Sequence, residues 1–214
     1  MKNKILSFFI FALILVGSAS SAQSFEGVIK FQKQTDVGNT NYVYYIKGDN
    51  IRIDELDNNG NVDGTFLVNL KAKTMLSLNY ERKLYMDNKR PADAPVNGKC
   101  EITKTKNVKV IMGYNCREYI VKNTAENTQV SYWIAEKKFN FFQGLLKVLN
   151  RKDKSSVYYQ QIIGLKEAFP FSSVETTISD KKQVNRMDVT EIKAKVLNAS
   201  LFKVPKEFRK FDGK

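Results

Sequence analysis

Apolar residues recur at every second position over most of this chain. Phe25, Ile29 and Phe31 alternate with Lys30 and Gln32, which is the period-two pattern of a strand with one buried face. The further predicted strands are residues 42–46, 51–56, 65–70, 74–78, 108–112, 116–121, 129–135, 174–178 and 184–192. Short turns join most of them, and such local connections are typical of an antiparallel sheet.

One segment has a different period. Phe139, Phe142 and Leu146 fall at helical spacing, which predicts a helix over residues 136–150. Gly144 lies inside this segment and weakens the helix by about 1 kcal/mol relative to alanine. The predicted fold is therefore α+β, with a curved antiparallel sheet, a helical insertion that covers one face and a C-terminal tail.

The N-terminal segment has the pattern of a secretory signal peptide. Lys2 and Lys4 precede a twelve-residue apolar run at positions 5–16, and small residues follow it. The run is shorter than the roughly 20 residues that span a membrane. We expect residues 1–22 to be removed on export and residues 23–214 to form a single β-rich domain, periplasmic or extracellular. The alternative is a buried N-terminal helix. No cysteine lies near the cleavage region to carry a lipid anchor.

The chain is strongly basic. Its formal charge of +13 falls to +11 once Lys2 and Lys4 are removed. An exported protein of this charge matches an anionic membrane surface or an acidic envelope polysaccharide, and export argues against nucleic acid as a partner. Residues 137–154 carry six basic residues and one acid. This segment is either a helix that lies on a membrane or a core helix with solvated lysines.

The composition restricts the chemistry. The chain has no histidine and two cysteines, which excludes His-dependent nucleophiles, imidazole ligands and four-thiolate metal sites. No nucleophile elbow, P-loop or dinucleotide-binding glycine motif occurs. We therefore expect no catalytic residues, no metal and no cofactor. A hydrolase of unfamiliar type is the alternative, although Asp54 and Glu55 are strand neighbours and point to opposite faces.

The two cysteines, Cys100 and Cys116, enclose fifteen residues. An even number of cysteines in an exported chain favours a disulfide, which contributes roughly 3 kcal/mol for a loop of this length. Two unpaired thiols are the alternative. No Cys-x-x-Cys motif is present, so the prediction is a structural cross-link.

Five short segments carry a family resemblance. They are FEGVI at 25–29, YIKGDNIR at 45–52, LVNL before KTM at 67–75, GYNCREY at 113–119 and LFKVP at 201–205. Together they resemble an exported bacterial family named domain of unknown function 4412. The resemblance implies kinship with the LolA/LppX-like fold, an open half-barrel whose helices cover the concave face and can enclose lipid or acyl chains.

A concave apolar pocket of this kind normally holds a hydrophobic ligand. We therefore predict non-catalytic binding of a hydrophobic or amphiphilic ligand, such as a lipid or acyl chain. The candidate ligand-binding residues are Phe31, Tyr44, Trp133, Phe139 and Phe142. The alternative is a structural or adhesive module that binds anionic envelope surfaces through its positive charge.

Overall fold

A computed structural model describes residues 24–89, 92–93 and 95–211. The strands are β1 (Gly27–Thr35), β2 (Gly38–Lys47), β3 (Asn50–Leu56), β4 (Val62–Asn69), β5 (Thr74–Asn79), β6 (Leu84–Asp87), β7 (Glu101–Ile111), β8 (Tyr114–Asn123), β9 (Thr128–Ala135), β10 (Phe169–Thr177), β11 (Gln183–Ala194) and β12 (Arg209–Lys210). The helices are α1 (Phe141–Leu149) and α2 (Lys154–Tyr159), and a 3-10 helix spans Ala199–Phe202. The predicted signal peptide, residues 1–22, lies outside the described residues. None of the helices described is long and apolar enough to cross a membrane.

Within the described residues, twelve strands form one open sheet in the order β12-β6-β5-β4-β3-β2-β1-β11-β10-β9-β8-β7. Strands β1 to β6 form one consecutive series and β7 to β11 form another. The antiparallel pairing of β1 with β11 joins the two series. Neighbouring strands are antiparallel, except that β12 runs parallel to β6. The predicted α+β fold with a large antiparallel sheet is confirmed.

The main core lies between this sheet and the two helices, which are inserted between β9 and β10. Its fully buried aliphatic residues include Ile29, Ile46, Ile51, Ile53, Val121, Val130, Ile134 and Leu145. These residues come from both strand series and from α1. Because each buried aliphatic side chain contributes about 1.5–3 kcal/mol, this core holds the helices onto the sheet.

Helix α1 is shorter than the predicted helix over residues 136–150. Lys138 has a φ of +76°, which is incompatible with a right-handed helix. Its carbonyl instead accepts a hydrogen bond from the backbone N–H of Phe25 at 2.8 Å. The helix ends at Asn150, which adopts the left-handed conformation and donates its N–H to the Leu146 carbonyl. The predicted helix is therefore confirmed over nine residues and replaced by a connection before them.

The segment after β11, predicted only as a tail, crosses the opposite face of the sheet. Leu197 packs on Val28 and Val43, and Phe208 packs on Leu67 and Leu78. Strand β12 then pairs with β6. The C-terminal segment therefore covers apolar residues on the second face and one edge of the sheet.

The predicted disulfide between Cys100 and Cys116 is wrong, because both residues are free thiols. Glu101, next to Cys100, pairs with Lys122, whereas Cys116 pairs with Lys109. Six residues of β8 therefore separate the two positions, which is about 20 Å at about 3.3 Å per residue. A disulfide needs Cα atoms within about 7 Å. Burial raises the pKa of Cys116 to about 11, which keeps this thiol protonated and unreactive.

The close approach of β1 to β11 can be tested by substitution of Gly27. A Cβ atom at this position would lie 2.1 Å from the Lys193 carbonyl oxygen, and φ is +153°. Gly38 has a comparable φ of +137° but no atom within 4 Å of the added Cβ. We expect Gly27→Ala to lower the free energy of unfolding by about 3 kcal/mol, and Gly38→Ala by about 1 kcal/mol.

Equilibrium unfolding in urea measures both changes. Equal losses in the two variants would show that backbone conformation, and not the close approach of β11, sets the cost at Gly27.

Candidate functional site

A cavity of about 70 Å³ lies between the sheet and the helices, at the junction of the two strand series. We call it the sheet–helix cavity. Its apolar wall consists of Phe31, Tyr44, Tyr132, Phe142, Leu146, Leu149, Tyr159, Phe169, Pro170 and Met187. Its polar end consists of Lys33, Arg151, Asp153, Ser155, Ser156, Ser173 and Asn185. One end of the cavity is thus suited to apolar groups and the other to polar groups.

The aromatic rings of the apolar wall contact one another edge to face. The ring centroids of Phe31 and Tyr44 are 4.7 Å apart. Phe142 lies 4.7 Å from Phe169 and 5.0 Å from Tyr159. Such pairs add about 0.5–1.5 kcal/mol beyond their buried area. The wall is therefore built from strands and helices whose rings position each other.

Two of the three tyrosine hydroxyls of the wall are satisfied by backbone groups. Tyr132 donates to the Ser155 carbonyl at 2.7 Å, and Tyr159 donates to the Ala168 carbonyl at 3.1 Å. Burial raises the pKa of both phenols far above the usual value. Both side chains therefore stay neutral and present their ring carbons to the cavity.

Arg151 places a guanidinium group at the polar end of the cavity. It is the second residue after α1, and its guanidinium carbon lies 5.6 Å from the centroid of the Tyr42 ring. Among the described residues, no carboxylate lies within 4.0 Å of its guanidinium nitrogens. A guanidinium keeps its charge at any physiological pH and presents five donors. The polar end thus contains a positive charge that no acidic side chain neutralises by direct contact.

Three polar side chains at or next to this end, Ser155, Glu175 and Asn185, are linked by hydrogen bonds. The Ser155 hydroxyl donates to Glu175 Oε2 at 3.3 Å, and Asn185 Nδ2 donates to Ser155 Oγ at 3.5 Å. Asn185 is 6% exposed, and its Oδ1 atom has no hydrogen-bond partner among the described residues. Unsatisfied buried acceptors are rare, because each costs about 1–3 kcal/mol. The site therefore keeps unused hydrogen-bonding capacity.

The hydrogen-bonded group of Ser155, Glu175 and Asn185 can be tested by substitution of Glu175. Burial raises its pKa above the ordinary value of 4.5, and the hydrogen bond from Ser155 only partly offsets this. The folded protein therefore loses stability as pH rises from 4.5 through the raised pKa. Glu175→Gln removes this loss, so we expect the variant to gain stability over the natural protein across that interval and to keep the gain at neutral pH.

Thermal unfolding at acidic and neutral pH measures this difference. The exposed control Glu81→Gln should show no such pH-dependent gain. If Glu175→Gln were more stable than the natural protein by the same amount below pH 4.5, ionisation of Glu175 would not explain the gain.

Helix α2 is held by the buried side chains of Val157, Tyr158 and Tyr159 and by the polar contacts of Glu126. This carboxylate, whose side chain is 5% exposed, accepts hydrogen bonds from Lys154 Nζ at 2.6 Å, from the Tyr158 hydroxyl and from the Asn97 N–H. Burial alone would raise the pKa of Glu126, but the bonds from Lys154 and Tyr158 lower it. Asp153 caps the helix by accepting from the Ser156 N–H at 3.0 Å. One wall of the cavity thus depends on a buried ionic anchor.

We expect Glu126→Gln to loosen α2 selectively. Loss of the charge weakens the bonds from Lys154 and Tyr158, so amide exchange across α2 should accelerate about tenfold. Hydrogen exchange followed by mass spectrometry measures this, with the exposed Glu207→Gln as the control. An equal acceleration in β1 and β9 would show instead that Glu126 stabilises the whole domain.

The structure brings together three of the five candidate residues predicted from the sequence. Phe31, Tyr44 and Phe142 lie in the apolar wall. Phe139 is buried deeper, in contact with Phe25 and Phe171, and does not line the cavity. Trp133 follows Tyr132 in β9 and therefore points to the opposite face, where Lys109 lies over its ring.

Several cavity residues were missed by the sequence reasoning. Arg151 lies in the basic segment 137–154, but nothing in that run separates it from the neighbouring lysines. Tyr132 and Asn185 reach the cavity through strand register. Six residues of α1 are buried, so its apolar stripe is core, as in the second of the two alternatives for this segment.

The carboxylate pair considered for hydrolysis is structural. Asp54 is 2% exposed and accepts from Arg52 Nε at 2.8 Å and from the Thr65 hydroxyl at 2.7 Å. Glu55 points to the other side of β3. These contacts account for Asp54 as a buried ion pair within the sheet.

A large open antiparallel sheet with helices inserted on one face defines the class of fold. The sequence model of the family described as domain of unknown function (DUF4412) matches residues 25–208, and the chain belongs to this family. No match was found among curated proteins. The resemblance drawn from the five short segments is therefore confirmed at the level of the family.

Solved structures match this chain at low sequence identity. An uncharacterized conserved protein from Thermus thermophilus matches with a TM-score of 0.53 and 10% identity, over 88% of this chain and 90% of that chain. PNGF-II matches at 0.44 and 13% identity, over 88% of this chain and 31% of its own. The LolA superfamily protein NE2245 from Nitrosomonas europaea matches at 0.36 and 10% identity, over 86% and 91%.

Proposed function

We propose that this protein is an exported, non-catalytic binding protein for an amphiphile with an apolar chain and an anionic head group. One observation carries the proposal: an aromatic cavity ends at Arg151, whose charge has no direct acidic partner among the described residues. Arg151 is half-buried, and Asp153, which also lines the polar end, attracts it without forming an ion pair. A partly desolvated charge with no counter-ion in contact favours an anionic partner. An anionic ligand would supply the missing partner.

The head group would lie at the polar end. A guanidinium binds carboxylate or phosphate with two parallel hydrogen bonds, which gives both affinity and orientation. The hydroxyls of Ser155 and Ser156 already donate to Glu175 and Asp153, so Ser173 and Lys33 are the further donors that line this end. The polar end can therefore orient a carboxylate or a phosphate.

The apolar chain would lie along the aromatic wall, and its entry requires movement. Ligand pockets usually measure about 300–1,000 Å³, whereas the sheet–helix cavity measures about 70 Å³. Helix α2 has six residues, too few to be stable in isolation. Because α2 buries three residues and α1 buries six, displacement of α2 from the sheet is the less costly of the two ways to enlarge the cavity.

We expect Arg151→Gln to weaken binding of a dansyl-labelled fatty acid about tenfold, because a charge-assisted hydrogen bond contributes about 1.5–3 kcal/mol. The corresponding labelled fatty alcohol, which lacks the anionic head, should bind the variant and the natural protein alike. Fluorescence titration measures both, with the exposed Arg82→Gln as the matched control.

Equal affinity of the natural protein for the acid and the alcohol would contradict the head-group assignment. Mass spectrometry of organic extracts from the purified protein tests the proposal without a chosen ligand. Protein that is consistently free of any amphiphile and that binds neither probe would overturn it.

A further inference from the structure

Two shallow grooves meet on the surface beside β7, far along the sheet from the β1–β11 junction. One, of about 620 Å³, lies between the β7–β8 turn and the connection that follows β9. The other, of about 530 Å³, lies between β7 and the loop that follows α2. Both grooves are lined by Glu136 and Lys137. They therefore form one continuous surface, which we call the β7 surface.

Aliphatic side chains project from this surface into solvent. Ile163, in the loop after α2, is 95% exposed, and Val110 is 66% exposed. Val108 and Ile102 are 51% and 41% exposed and line the two grooves. Ile163 is almost fully exposed and so gains little from the fold of the isolated chain, and the other three leave 41% or more of their surface in water. Exposed aliphatic side chains clustered around two grooves are typical of a surface that binds a membrane or another apolar surface.

The charge of the β7 surface is positive. Four basic residues line the grooves, Lys104, Arg117, Lys137 and Lys138, against the single acid Glu136. Glu136 already interacts with Lys104 at 2.7 Å and with Arg117 at 3.8 Å. The surface therefore presents excess positive charge around its projecting aliphatic side chains.

We propose that the β7 surface docks this protein onto an anionic lipid bilayer. Projecting aliphatic side chains would enter the headgroup region, and the surrounding lysines would contact anionic headgroups. Attraction to an anionic leaflet contributes about 1 kcal/mol for each basic residue near the surface, which adds to the burial of the apolar side chains. This inference does not depend on a ligand in the sheet–helix cavity.

An extended peptide paired with the edge of β7 fits the structure less well. Among the described residues nothing pairs with this edge, but a bulge between Lys104 and Val108 interrupts its regular backbone. Bulges and lysines on an edge strand oppose the addition of another strand. A bilayer needs no continuous backbone pairing and uses the projecting side chains directly.

Co-sedimentation with vesicles tests the proposal. We expect the purified protein to bind vesicles of equal parts phosphatidylcholine and phosphatidylglycerol, and to bind pure phosphatidylcholine vesicles much more weakly. Ile163→Asp should weaken anionic binding about tenfold, because an inserted isoleucine is replaced by a charge that the lipid repels. Val37→Asp is the matched control, since Val37 is 94% exposed in the β1–β2 turn, away from the β7 surface.

The charge contribution is tested separately. Lys137→Gln combined with Lys138→Gln should weaken binding to the anionic vesicles about tenfold, whereas Lys71→Gln combined with Lys73→Gln should have little effect. Equal losses in the two double variants would mean that net charge alone binds the vesicles, and would overturn the assignment of the β7 surface. Unchanged binding of Ile163→Asp to the anionic vesicles would also overturn it. The same holds if the natural protein binds no vesicles and β7 instead pairs with an acidic extended peptide.

The same variants separate this inference from the proposed function. Ile163→Asp should bind the dansyl-labelled fatty acid as the natural protein does, and Arg151→Gln should bind the anionic vesicles as the natural protein does. Failure of vesicle binding with intact fatty-acid binding would therefore overturn the docking surface alone.

Discussion

The pairing of β1 with β11 is the interaction on which the rest of the structure depends. Each strand series is built from local hairpins, but β1 and β11 are separated by most of the chain. Without their pairing the protein would consist of two smaller sheets, each with an exposed edge. The close approach at Gly27, where no side chain fits against the Lys193 carbonyl, shows how tightly the two series meet.

This junction also creates the site. Phe31 and Tyr44 come from the first series, whereas Tyr132, Phe169 and Asn185 come from the second. The helices are inserted between two strands of the second series and reach across to pack on the first. A cavity with one apolar wall and one polar end therefore exists only in the assembled sheet, and its lining residues lie far apart along the sequence.

Local patterns predicted the sheet well and the site only in part. Alternation revealed β1 because Ile29 and Phe31 bury one face. It missed the first half of β7, where both faces carry exposed polar residues and no period exists. The disulfide prediction failed because cysteine number carries no information on strand register. Arg151 resembles its basic neighbours in sequence, and only the fold separates it from them by placing it beside the Tyr42 ring.

The two helices bury different numbers of residues, and this difference determines which of them moves at lower cost. Helix α1 buries six residues against the sheet, so its displacement exposes much apolar surface. Helix α2 is shorter and buries three residues, Val157, Tyr158 and Tyr159, beside the polar contacts of Glu126, so its displacement exposes less apolar surface than that of α1. Tyr159 at the end of α2 lines the sheet–helix cavity, and Ile163 projects from the loop that follows. Because four positions separate them, a shift of α2 that widens the cavity also moves the most exposed side chain of the β7 surface.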